Sequence, residues 1–206
     1  CCLMQNADRM GDMPTKESDI PHVDPKSSGT EEDEDEDPEA DNYTTLRKSS
    51  AFTLQQFSKN YPDIVFSIII HHLNAMLESQ NMDHVEAAIL ALGAISDQDG
   101  SYDAIVIHLV NLVPFLIQKL DCPSKEVRAT TCWTLSKFSE WIGNGSSTQL
   151  FQLYHQKLVA RVADPDQSVQ EAACNAYSSL IEVIPVEQCQ PLLISFFHVL
   201  NQAVDN

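Results

Sequence analysis

Val85-Glu86-Ala87-Ala88-Ile89-Leu90, Val127-Arg128-Ala129-Thr130-Thr131-Cys132 and Val169-Gln170-Glu171-Ala172-Ala173-Cys174 are three copies of one stretch. Their first residues lie at 85, 127 and 169, so both steps are 42 residues. Leu46-Arg47-Lys48-Ser49 heads a weaker copy 39 residues upstream. Five residues into each copy stands a small or apolar residue: Ala51, Leu90, Cys132 and Cys174. The last copy gives the local structure. Val169, Ala172, Ala173, Ala176, Leu180 and Val183 form one apolar stripe at helical spacing. Asp164-Pro165-Asp166 ahead of it supplies a turn and an N-cap. Asp121-Cys122-Pro123-Ser124 does the same for a helix reaching about Trp141, which Gly143-Asn144-Gly145 should stop. Further helices are expected at about 63–78, 103–120, 147–162 and 186–204, and Pro114 and Pro191 should kink or shorten two of them. No stretch alternates with period two, so no sheet is expected.

A period of roughly 40 to 47 residues in an all-helical chain is what HEAT-type arrays show. Each helix pair cannot bury its apolar face alone, so pairs stack into a solenoid. The expectation is an all-α HEAT-repeat right-handed superhelical solenoid of about four helix pairs, near 43–80, 82–121, 123–163 and 165–205. Residues 1–10 read as the end of a preceding helix, and the chain as a fragment of a longer protein. Residues 11–42 read as a disordered loop. They hold Pro14, Pro21, Pro25 and Pro38 and end in the run Glu31, Glu32, Asp33, Glu34, Asp35, Glu36, Asp37, then Glu39 and Asp41. One-sign charge with little apolar content cannot offset the entropy of ordering.

The net charge of −18 is unevenly placed. Residues 8–41 hold 14 acidic and 3 basic residues, a net of −11, and leave −7 for the repeats. Direct nucleic-acid binding is disfavoured, because it needs Lys/Arg clusters that this chain lacks. A basic protein partner is favoured. No signal peptide or membrane span is visible: the longest apolar run, 64–70, is broken by Ser67. Of six cysteines no pair has the C-x-x-C spacing of a zinc or redox site, so buried thiols in cytosol or nucleus explain them best.

Other chemistry reads weakly. His71 and His72 are adjacent and point about 100° apart on a helix, so they cannot chelate together. The other histidines are isolated, and no metal site or cofactor is expected. Gly143-Asn144-Gly145-Ser146 lacks the Lys-Ser/Thr ending of a phosphate loop and follows a helix rather than a strand. No nucleophile elbow or paired carboxylate motif exists, so no catalytic residues are assigned and the chain reads as non-enzymatic. Trp133 and Trp141, eight residues apart, project within about 80° of each other on a continuous helix. Both can be core residues. Trp133 follows the small polar Thr130-Thr131-Cys132, so it can instead stand on the concave surface and pack a ligand chain. Glu182 lies among Leu180, Ile181 and Val183, where it is either merely solvated or pairs with a basic ligand. The acidic run is either a solvated spacer or a mobile polyanion that competes for such a ligand.

LRKSSAFTL from Leu46, AAILALGAI from Ala87, TTCWTLSKFSEW from Thr130 and VQEAACNAYSSL from Val169 resemble the central repeats of the transportins, or karyopherin-β2 receptors, of the importin-β superfamily. An acidic loop just before LRK is a feature of that family. The resemblance implies a superhelix that shuttles between cytoplasm and nucleus and imports cargo bearing a basic proline-tyrosine nuclear localisation signal. Cargo would bind the inner face. Ran-GTP would bind mainly repeats outside this chain, nucleoporins would be further partners, and the loop would help eject cargo. The implied cargo contacts are Ala51, Leu90, Trp133, Trp141 and Glu182. Phe52, Gln55 and Thr130 depart from the family pattern, which has a small, an acidic and an apolar residue there. The alternative is a HEAT scaffold of another class, such as a phosphatase regulatory subunit, which would have no need of the acidic insertion.

Overall fold

A computed structural model of the chain describes residues 38–96 and 105–204. The run Glu31–Asp37 and the rest of the expected loop up to 37 lie outside the described residues. Along the chain come α1 (Pro38–Asn60), α2 (Pro62–Leu77), α3 (Met82–Ala94), α4 (Leu109–Lys119), α5 (Lys125–Ser136), a π-helical turn (Trp141–Gly145), α6 (Thr148–Val162), α7 (Gln167–Val183) and α8 (Val186–Val204). Among the described residues there is no strand, and no helix is long and apolar enough to cross a membrane.

The caps follow the turn chemistry of the sequence. Asn81, Ser124, Ser147 and Asp166 each sit in extended backbone, and each side chain accepts a bond from a backbone N–H of the first turn. Such caps satisfy donors that a helix start leaves orphaned, each worth about 1 kcal/mol. α1 begins at Pro38, ahead of the start expected at Tyr43.

The odd-numbered helices stack, α1 on α3, α3 on α5 and α5 on α7. A second layer runs α4 on α6 and α6 on α8, and between the layers α2 packs on α1 and α3, α4 on α5, and α6 on α7. The chain is therefore an all-α HEAT-type solenoid. Val85, Val127 and Val169 are all fully buried in the first turns of α3, α5 and α7, as the 42-residue register requires. The weaker copy departs, for Leu46 lies inside α1 and is exposed. One continuous core runs from Leu73 on α2 to Ile184 after α7, filled by Ile89, Leu116, Leu135, Phe138 and Tyr154 among others. Cys132 lies within it, and burial pushes its thiol up to about 12.

Two expectations are corrected. α5 does not reach Trp141: it ends at Ser136, and the chain turns through Lys137 and Phe138 before the π-helical turn. Gly143-Asn144-Gly145 ends that π-helical turn rather than α5, and no described glycine takes a positive φ. The reason is packing: Ile142 and Phe138 are fully buried, so the segment stays coiled against the core until Ser146 extends. The geometry relating Trp133 to Trp141 on one straight helix is lost with it. Both prolines lie inside helices that run on through them, so neither ends its helix. α4 starts at Leu109, after a turn at 107–108, and continues through Pro114 to Lys119, as α8 continues through Pro191 to Val204.

Candidate ligand-binding surface

Where α1, α3 and α5 stack, a small apolar cluster stands apart from the main core. Ala51, Leu90 and Ala94 are buried in it, and Leu54 and Trp133 are partly buried against it. Three of the five residues singled out from the sequence thus meet: Ala51 from α1, Leu90 from α3 and Trp133 from α5. Trp141 does not join them. It is half-buried in the π-helical turn and packs on the main core. Glu182 is exposed near the end of α7, outside the cluster.

Trp133 is half-buried, and what lies beneath it explains how. A Cβ on Gly93 would collide with Trp133 Cζ3 and stand 2.8 Å from both Trp133 Cε3 and Thr134 Oγ1. Thr134 Oγ1 donates 2.9 Å to the Ile89 carbonyl of α3. So α5 lays an indole and a hydroxyl onto bare backbone of α3. Gly93 costs helix propensity, about 1 kcal/mol against alanine, and in return lets the helices approach. Lys137 Nζ lies 5.2 Å from the centroid of the Trp133 ring, in cation–π range.

Beside the cluster runs a polar chain that spans the same three helices. Glu86 on α3 is buried, and its Oε1 accepts from the Arg47 guanidinium of α1 and from the Thr130 hydroxyl of α5. Thr130, a departure from the family pattern, is therefore a satisfied buried donor. Phe52 is half-exposed on α1, and Gln55 is partly buried.

The next joint is filled in another way. Arg128 on α5 is buried, with Nε and Nη2 donating 2.9 and 2.7 Å to the two oxygens of Asp164, itself 1% exposed. Its Nη1 donates 2.9 Å to the carbonyls of Cys122 and Pro123. Arg161 Nη1 also donates to Asp164, at 3.1 Å, and Gln170 Nε2 donates 2.6 Å to the Asp164 carbonyl. The hydrogen bond to Asp164 raises the Arg128 pKa further. Asp166 is held below the usual carboxylate range, chiefly by the Ser168 hydroxyl, with Lys125 3.0 Å away.

Sequence reasoning missed Gly93, Lys137 and the Arg47–Glu86–Thr130 chain. A signal for the last was present: the second residue of the four copies is Arg47, Glu86, Arg128 and Gln170, polar every time beside an apolar stripe.

A HEAT-like repeat family model matches residues 83–138, which include Leu90, Gly93 and Trp133. Transportin of Dictyostelium discoideum is 36% identical over 163 residues, 77% of this chain and 17% of the relative. Importin subunit beta-2 of Schizosaccharomyces pombe is 36% identical over 155 residues, 73% of this chain and 16% of the relative. Transportin-1 of Homo sapiens is 33% identical over 159 residues, 77% of this chain and 17% of the relative. This chain is a transportin homologue. It spans about a sixth of the length of these relatives. The stacked α1–α3–α5 surface is thus a piece of transportin-type solenoid, with one indole lying over the Gly93 backbone of α3.

Proposed function

We propose that this transportin homologue is a cargo-binding portion of a nuclear import receptor. In this reading the surface around Trp133 takes the apolar part of a cargo's proline-tyrosine localisation signal, and Glu182 takes a basic residue of it. The observation that supports it is the meeting of Ala51, Leu90 and Trp133, from three different helices, in one cluster outside the main core. A half-buried aromatic set among small buried residues is the usual form of an interface anchor. The chain acts by binding and release, without catalysis. It would shuttle between cytoplasm and nucleus, with nucleoporins and Ran-GTP as partners of the longer receptor. Trp141 would support the surface from the neighbouring turn rather than touch cargo.

The acidic run Glu31–Asp37 would oppose cargo binding when Ran-GTP presses it toward the groove. It precedes α1, whose Ala51 belongs to the cluster. A tethered polyanion reaches effective concentrations of about millimolar, enough to compete with weak basic contacts.

The test is fluorescence anisotropy of a labelled proline-tyrosine signal peptide on the wild-type chain and on Trp133→Ala. The variant should bind about 5- to 150-fold more weakly, equivalent to 1–3 kcal/mol, with helix content by circular dichroism unchanged. Equal affinity, or no binding by the wild type, sinks this reading in favour of a plain scaffold.

A further inference from the structure

Gly93 lies inside α3, one residue before the helix ends at Ala94. Its backbone does not need a glycine, since no described glycine has a positive φ. Alanine would fit the same conformation with better helix propensity. The missing side chain is therefore a matter of space, and Trp133 and Thr134 of α5 occupy that space. Thr134 pins α5 in place through its bond to the Ile89 carbonyl, one turn before Gly93. The Thr134 side chain is fully buried, so the helix axis has little room to withdraw. A methyl group at position 93 thus acts mainly on the indole, the one member of the pair that solvent can receive. Gly143 offers a contrast. A Cβ there would meet only the Val183 and Ile184 Cγ2 methyls, at 3.1 and 3.2 Å. Those contacts are tight, yet small shifts relieve them.

We infer that Gly93 is a positioning residue for the cargo surface. By giving up its side chain it lets the Trp133 indole lie down on α3 beside Leu90 and Ala94, and so sets the height and tilt at which the ring meets an apolar ligand segment. This rests on the reading of Trp133 as a cargo contact. Gly93 touches no ligand itself, and its effect passes chiefly through the ring, with Thr134 Oγ1 the other atom that crowds the position.

The chain has two tryptophans, so a Trp141→Phe background leaves Trp133 as the sole indole reporter. In that background Gly93→Ala should shift Trp133 emission to the red and raise its quenching by acrylamide. It should weaken binding of the labelled proline-tyrosine peptide about tenfold, part of what loss of an anchor costs. Gly143→Ala should do neither. In a Trp133→Phe background the smaller ring clears position 93, so adding Gly93→Ala should leave affinity almost unchanged. If Gly93→Ala leaves emission and quenching as they were, or weakens binding equally with Phe at 133, Gly93 is a packing residue only and the inference falls. If emission shifts as expected but Trp133→Ala binds peptide like wild type, the cargo reading has failed, and with it the inference, although the packing stands. Should Gly93→Ala not fold, recovery of folding on adding Trp133→Phe supports the inference, and its absence overturns it.

Discussion

The joint between α3 and α5 and the joint between α5 and α7 use the same register positions to opposite ends. Moving 42 residues along, Gly93 becomes Leu135, and Trp133 becomes Asn175. Leu135 is fully buried and Asn175 is exposed. At these two positions the later joint is thus closed in the ordinary way, with an apolar side chain inside and a polar one outside. At the earlier joint the volume is displaced: α3 omits a side chain and α5 supplies an indole from above. The polar chains differ in the same sense. Arg128 is buried with Asp164 and two carbonyls, its side chain 11% exposed, while Arg47 reaches Glu86 from a position 30% exposed on α1. The first joint is arranged to present a ring, and the second to hold the stack together.

Breaking the closed joint should have the largest effect on stability. Arg128→Ala leaves Asp164 buried at 1% exposure with only Arg161 as a charged partner among the pairs described. Removing one member of a buried pair costs about 3–5 kcal/mol. Urea unfolding should show the midpoint falling with an unchanged slope. Asp164→Ala in addition should cost much less than its single effect, because the two groups form one unit. Additive costs would mean the pair is not coupled.

The open joint should respond less. Glu86→Ala removes a carboxylate that serves Arg47 and Thr130, and leaves the fully buried Thr130 hydroxyl without that acceptor. The expected loss is about 1–3 kcal/mol. Thr130→Val beside it should restore part of that, as it removes the orphaned hydroxyl. If Thr130→Val adds a further loss instead, the threonine has another role.

A smaller effect separates the far end of the stack from both joints. His155 Nε2 on α6 lies 3.1 Å from the Tyr177 hydroxyl of α7 and 3.1 Å from Ser195 Oγ of α8. Both hydroxyls also reach the Leu192 carbonyl at 2.8 Å. A neutral imidazole accepts at Nε2 from one hydroxyl while the other donates to the carbonyl; a protonated one cannot accept. Burial lowers the His155 pKa below its ordinary value. The unfolded chain therefore binds the proton more readily, and stability is fully present above about pH 6.5 and declines as pH falls through the lower folded value. The melting temperature should drop on acidification through that range, and His155→Gln should flatten the profile. A profile as steep in the variant would assign the acid sensitivity elsewhere.

How much of this was legible follows from where each signal lies. The 42-residue register fixed the helices because burial at Val85, Val127 and Val169 is a local demand repeated three times. The caps at Ser124 and Asp166 were legible for the same reason. Ala51, Leu90 and Trp133 were found by resemblance, and only the stacking of helices brings them together. Gly93 was not legible, because its meaning is the shape of a side chain 40 residues away. The π-helical turn was not foreseen, because Gly143 and Gly145 mark where the coil ends but not the break after Ser136 that separates it from α5. Glu86 could not be paired from the sequence, because its two partners lie 39 and 44 residues distant.

The smallest expected effect sharpens the picture of the open joint. Lys137 Nζ stands 5.2 Å from the Trp133 ring centroid. Two consequences oppose each other when it is replaced by glutamine. Loss of the cation–π contact loosens the ring by about 0.5–1 kcal/mol at a partly exposed site. Loss of a positive charge favours a basic signal on the same surface, by up to about 1 kcal/mol for exposed charges. The ring is already held by Gly93 and Thr134 packing, so the first effect is largely absorbed. Nothing absorbs the second. Lys137→Gln should therefore bind a basic proline-tyrosine peptide about two- to fivefold more tightly at low salt, with a melting temperature close to wild type. Near 1 M salt, where the screening length is about 3 Å, the gain should vanish. Weaker binding at all salt concentrations would show instead that the lysine helps to orient the indole, and that Gly93 alone does not set the ring.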